Sequence, residues 1–219
     1  MRKSALMALL FTPLWAVAAP NLVANGSFES GLTGWTLSAT PSDGYDVVAI
    51  NYGSTSPYPG GAFGESIPAD NSASISPDLS GAKAAYFVSD FSNQTLTQTI
   101  TVPAAGFYAI GFSSYAPANG FANANDAVFT GKIAGVTLVS GNVSAQPVTA
   151  WQNFSGTTSL TPGTYQVEFS FLTSAFPAKD LVIDRVYVTA VPVPEPGSLA
   201  MMLAGLAGVG FVARRRSRI

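Results

Sequence analysis

The stretch TYQVEFSFL, residues 164–172, decides the fold. Tyr165, Val167, Phe169 and Phe171 fall on one side of an extended backbone and Gln166, Glu168 and Ser170 on the other, the period of two that a half-buried strand requires. The turn Thr161-Pro162-Gly163 opens it. Upstream, 94–102 repeats the pattern: Leu96, Ile100 and Val102 share one face, and Thr95, Thr97, Thr99 and Thr101 the other. The turn Pro103-Ala104-Ala105-Gly106 joins it to 107–114 as a hairpin. Working outward, further strands are expected at Leu22-Val23 and over 35–39, 45–51, 85–89, 149–158 and 181–189. One or two more fall within 127–139, where Gly135 reads as a bulge. Short strands at regular spacing, with almost no helical periodicity before Gly197, predict an all-β, antiparallel β-sandwich.

Two segments interrupt the pattern. Residues 52–80 hold Pro57, Pro59, Pro68 and Pro77 with Gly53, Gly60, Gly61 and Gly64, which rules out long regular elements and leaves a loop presenting Tyr52, Tyr58 and Phe63. Residues 115–126 are rich in Asn and Gly and carry Phe121. A loop as long as 52–80, beyond about 15 residues in a compact domain, is usually functional or disordered.

The chain contains neither histidine nor cysteine. Ser-His-Asp and Cys-His nucleophile systems cannot be built from it, nor can a zinc site of His or Cys ligands. Carboxylate chemistry and oxygen-ligated metals remain. The acids Asp43, Asp46, Glu65, Asp70, Asp90, Asp126 and Asp180 are scattered among loops, and no spacing selects a glycosidase pair, so a non-enzymatic protein is expected. Charge is unevenly placed. Arg2, Lys3, Arg214, Arg215, Arg216 and Arg218 sit at the two ends, leaving residues 19–190 with four basic side chains against eleven acidic ones, a net −7. Such a surface repels phosphate backbones, and nucleic acid is not an expected partner.

Both ends read as targeting segments. Arg2 and Lys3, an apolar run over 5–17 and the small residues Ala16-Val17-Ala18 form a signal peptide over 1–18, cut after Ala18. Residues 191–219 contain a hinge with Pro192, Pro194 and Pro196, an uncharged apolar run over 197–213, and the arginine cluster. A helix over that run rises roughly 25 Å, enough for a thin bilayer as one C-terminal transmembrane helix, with the arginines held on the cytoplasmic side. The expected domains are therefore 1–18, 19–190 and 191–219.

Val193-Pro194-Glu195-Pro196, the Gly/Ala/Leu-rich run and the terminal arginines together resemble the PEP-CTERM sorting signal of exopolysaccharide-producing Gram-negative bacteria. The resemblance implies an exosortase-type protease acting at or near Pro194-Glu195-Pro196. It also implies transient anchoring in the inner membrane and delivery to the cell surface or the extracellular space. An ordinary single-pass anchor is the alternative, and it too exports the domain.

The opening NLVANGSFESGLTGW, residues 21–35, resembles carbohydrate-binding modules with the galactose-binding-like jelly-roll fold, through Asn25, Gly26, Phe28, Glu29, Gly34 and Trp35. The motif marks the fold more strongly than sugar binding, and Trp35 reads as core. Asp184-Arg185-Val186-Tyr187-Val188 resembles the closing strand of the same families. The resemblance places a structural calcium between Glu29 and Asp184; the alternative is a solvated Glu29 and an Asp184 paired with Arg185 or Lys179. Sugar binding would rest on exposed rings, with Tyr58 and Phe121 as the candidates. The expected function is non-catalytic binding of the producer's extracellular polysaccharide. The competing reading is a structural or adhesive matrix component without a defined glycan; loop rings lined up in a groove would favour the first, and buried rings the second.

Overall fold

The computed structural model describes residues 19–41, 44–192, 202–209 and 214. Ten strands, numbered in chain order, form two five-stranded antiparallel sheets, as the alternation predicts. The first sheet runs, in spatial order, β1 (Thr36–Thr40), β4 (Asn93–Val102), β9 (Gly163–Leu172), β6 (Val128–Ile133) and β7 (Val136–Asn142). The second runs β2 (Val48–Asn51), β3 (Lys83–Phe87), β10 (Leu181–Ala190), β5 (Gly106–Tyr115) and β8 (Gln152–Leu160). One short helix, α1 (Ala118–Phe121), lies in the loop after β5.

The alternating strands put their apolar faces against the second sheet. Leu96 pairs with Phe169 across β4 and β9, and both are fully buried. The Phe169 ring meets Phe112 of β5 edge-on at 4.9 Å, so one aromatic stack bridges the two sheets. Phe129, Phe171, Ile110, Ile183 and Val186 complete the layer. Each such side chain contributes roughly 1.5–3 kcal/mol by leaving water. On the other face of β4 the threonines look outward, as their spacing predicts.

The second sheet is buried on both sides along β3 and most of β10. Its outer face carries Ile50, Ala84, Tyr86, Val182 and Tyr115, and residues 52–82 lie over it, seating Ala62 and Ile67 there with Trp151 alongside. The loop is fastened to the sheet. Trp151 Nε1 donates to Pro68 O at 2.9 Å, and the Ser72 and Ser113 hydroxyls share a hydrogen bond at 2.8 Å, while Tyr52 N to Ala82 O at 2.8 Å closes the loop's own base. The fastening with the most contacts is Arg185. It stands at a bulge in β10 with φ of +52°, and its guanidinium donates to the carbonyls of Asp78, Ser72 and Ser74 while facing Asp70 at 3.8 Å.

Two expectations are corrected. Leu22-Val23 is no strand: residues 22–34 form bends and turns, tied to β10 by Leu22 N to Val188 O and Val186 N to Gly26 O, both 2.9 Å. Gly26 is required by that approach, because a Cβ there would stand 2.1 Å from Val186 O. Gly135 is not a bulge. Ala134 and Gly135 both take positive φ in the tight turn of the β6–β7 hairpin, the pairing of conformations a two-residue turn uses, and the irregularity falls at Gly131/Lys132 instead. Trp35 is core, as expected, stacked on Phe28 at 5.3 Å.

The expected signal peptide lies outside the described residues. At the other end, residues 202–209 are helical, and among the described residues no helix is long and apolar enough to cross a membrane. Most of the expected transmembrane span, with Val193, Pro194, Glu195 and Pro196, lies outside them too.

Candidate functional site

At the end of the sandwich where β10 begins, four connecting segments converge around a pocket of about 310 Å³. The long loop contributes Phe63, the β3–β4 turn Asp90, the α1 segment Asn119 and Asn123, and the β9–β10 connection Phe176, Pro177 and Asp180. Tyr45, just before β2, and Val88, just after β3, complete the lining. The rim rings reach solvent: Tyr45 is 42%, Phe63 37% and Phe176 68% exposed. Rings held part-exposed at a cavity mouth offer flat apolar faces that a sugar can cover.

The rings are braced. Tyr58 stacks on Phe63 at 5.4 Å with 11° between planes, and Tyr45 meets each of them edge-on. Tyr58 Oη donates to Asp46 O at 2.8 Å. Tyr58, expected to meet sugar itself, therefore backs Phe63, which lines the pocket in its place. Phe121 packs partly against the core, and Lys179 Nζ stands 4.6 Å over its ring, so one face is covered by an ammonium group. Lys179 also donates to the carbonyls of Phe121 and Asn123 and so holds the α1 segment in place.

The polar lining is acidic. Asp90 Oδ1 accepts from Ala178 N at 2.5 Å, which fixes the β9–β10 connection against the β3–β4 turn. Glu65 accepts from Asn119 N, and Asn119 Nδ2 donates to Phe63 O at 2.9 Å, which ties the rim ring to α1. Asp180 lies deeper, 3% exposed, and accepts a short hydrogen bond from Tyr86 Oη. Burial pushes its carboxyl up to about 7, with Asp90 and Glu65 adding repulsion against the Tyr86 bond. Burial, then the adjoining Asp180 charge, also drives the Tyr86 phenol above its ordinary range.

The expected calcium pair has other partners. Glu29 Oε1 accepts from Ala82 N and Lys83 N, both at 2.8 Å, so the opening motif grips the start of β3. Asp184 is fully buried in β10; Tyr52 Oη donates to its Oδ2 at 2.6 Å and Arg185 N to its Oδ1 at 2.6 Å. Burial foremost raises its carboxyl to about 9, which favours the neutral form. Calcium wants several charged or carbonyl oxygens around it. With both Asp184 oxygens engaged, and no group of three or more acidic side chains placed to hold a metal among the described residues, these residues do not fit that ion as they stand.

The fold defines a class, the two-sheet antiparallel sandwich, and several solved structures trace a similar path. The carbohydrate-binding module TmCBM61, solved in complex with β-1,4-galactotriose, is 16% identical, with a TM-score of 0.49 over 79% of this chain and 100% of that one. The K3 adhesin domain of Lys-gingipain from Porphyromonas gingivalis is 18% identical, with 0.45 over 75% and 96%. The enzymatically active domain of tailspike protein 4 from bacteriophage CBA120 is 18% identical, with 0.47 over 78% of this chain and 21% of that one, so the chain spans about a fifth of its length. No curated protein matches the sequence. The C-terminal end is more specific: residues 192–216 match the PEP-CTERM protein-sorting motif, and the chain carries that signal.

Proposed function

We propose that this is an exported, non-catalytic glycan-binding protein whose binding site is the pocket between Phe63, Tyr45 and Phe176. The observation that carries the reading is the braced aromatic rim: three part-exposed rings, two of them stacked or edge-packed into one cluster, beside Asn119 and Asn123. Rings give a pyranose its apolar contact, and amides and carboxylates give its hydroxyls donors and acceptors. Export rests on the sorting motif, which supports processing by an exosortase-type protease and presentation at the cell surface or beyond it. The producer's own exopolysaccharide is the ligand such a protein would meet first.

The test is affinity electrophoresis and glycan-array binding of the full-length chain in detergent, beside F63A and Y45A. Retention by at least one polysaccharide is expected, weakened about tenfold or more by F63A, which corresponds to about 1.4 kcal/mol. No retention on any glycan, or retention that both variants leave untouched, overturns the reading and leaves a matrix component without sugar recognition.

A further inference from the structure

Resting on that reading, we propose that the pocket selects a hexosamine with a free amine, an amino sugar bearing an ammonium group, over uronic-acid or sulfated glycans. The polar chemistry of the lining is one-sided. Asp90 and Asp180 contribute carboxyl groups, Asn119 and Asn123 contribute amides, and no basic side chain lines the pocket among the described residues. Lys179, the cation closest along the chain, is turned to the carbonyls of Phe121 and Asn123.

Asp180 is the group that makes the lining specific. Its side chain is almost fully buried, belongs to the pocket wall and accepts a hydrogen bond from Tyr86 Oη on Oδ2. A nearly buried carboxyl is costly to ionise unless a donor or a cation reaches it from the pocket. An ammonium group entering from the pocket supplies both. A carboxylate or sulfate ester would instead meet two acids with no positive partner, and repulsion at such distances is weakly screened in a part-buried site. The part-exposed rings argue for a sugar rather than a bare amine, because a polyamine or a lysine side chain has no pyranose face to lay on Phe63.

The experiment compares three trisaccharides by calorimetry on the full-length chain at about 0.15 M salt, where a general attraction to the acidic domain is damped beyond about 8 Å. The probes are a β-linked glucosamine trimer, its fully N-acetylated counterpart and a galacturonic acid trimer, with spermidine as competitor. The free-amine trimer is expected to bind about tenfold or more tightly than the acetylated one, and the galacturonate not at all. D180N should bring the ratio of the first two towards one, and D90N should lower it by a smaller factor. Equal binding of the two hexosamine trimers, a ratio unchanged in both variants, or displacement by spermidine as effective as by the free-amine trimer overturns the inference while leaving sugar recognition intact. If no polysaccharide is retained at all, the underlying reading falls with it.

Discussion

On β4 a threonine looks towards water at every second position, whereas on β3 four consecutive residues, Ala84, Ala85, Tyr86 and Phe87, are buried. The two strands belong to opposite sheets of one sandwich, and the difference comes from what lies outside each sheet. Nothing in the described chain covers the outward threonines of β4, while residues 52–82 cover Ala84 and Tyr86. The covered sheet carries the site. On its covered face Tyr86 donates to Asp180, and the covering loop delivers Phe63 to the rim. The candidate pocket is built on the sheet that has given up its solvent face.

Substitution offers the sharpest way to break that contrast. Ala84→Lys would place an unpaired ammonium under the loop, and a loss of more than about 4 kcal/mol is expected in urea unfolding, with the loop opened to protease. Thr99→Lys, at an outward position of β4, should stay within about 0.5 kcal/mol of the wild type. Equal tolerance of the two would mean that the loop does not seal the second sheet.

A smaller effect is expected from pH, and it too belongs to the covered sheet. Asp184 and Asp180 ionise near 9 and 7 in the folded protein, against an ordinary value of 3.8, chiefly because burial disfavours their charged forms. The folded state therefore holds these protons at pH values where the unfolded chain has released them. Stability from this source is greatest below about pH 4 and falls as pH rises, through 7 for Asp180 and on to 9 for Asp184. The melting temperature at pH 5 should exceed that at pH 9 by at least about 5 °C, and D184N should flatten the upper part of the slope. A melting temperature that climbs between pH 5 and 9 would show both carboxyls to be solvated.

The smallest effect expected is that of chelation. Because Glu29 and Asp184 already satisfy protein donors, EDTA should move the midpoint by less than about 1 °C. A clear fall would restore the calcium that the resemblance placed between them.

The same contrast explains what the sequence disclosed. The β4 and β9 strands were legible because one wet face leaves a period-two signature, and Thr95 to Thr101 write it plainly. On β3 and β10 both faces are buried, so the pattern holds no direction and says nothing about what covers them. The proline-rich loop showed that it lacked regular structure, but its docking depends on Arg185, whose partners are backbone carbonyls at Ser72, Ser74 and Asp78 that any residue could supply. The Asn-Gly-x-Phe-Glu opening was readable as a fold marker, and each residue now has a mechanical part. Asn25 bonds around its own turn, Gly26 admits Val186, Phe28 fills the core and Glu29 holds β3. The pocket was the least readable feature. Tyr45, Phe63, Asp90, Phe176 and Asp180 span most of the domain in sequence, and only the convergence of four connections brings them together. The nearest signal was the density of rings in the loops, which pointed to Tyr58 and Phe121; Tyr58 is half-buried behind Phe63, and Phe121 packs partly against the core.

β10 sets a direction for the whole protein. Asp180 precedes its first residue and Ala190 is its last, while the sorting motif starts at residue 192, so pocket and tether sit at opposite tips of one strand, roughly 30 Å apart. Whatever grips the chain at the motif therefore takes hold of the sandwich at the end remote from the pocket, and leaves the pocket's mouth unobstructed by the grip.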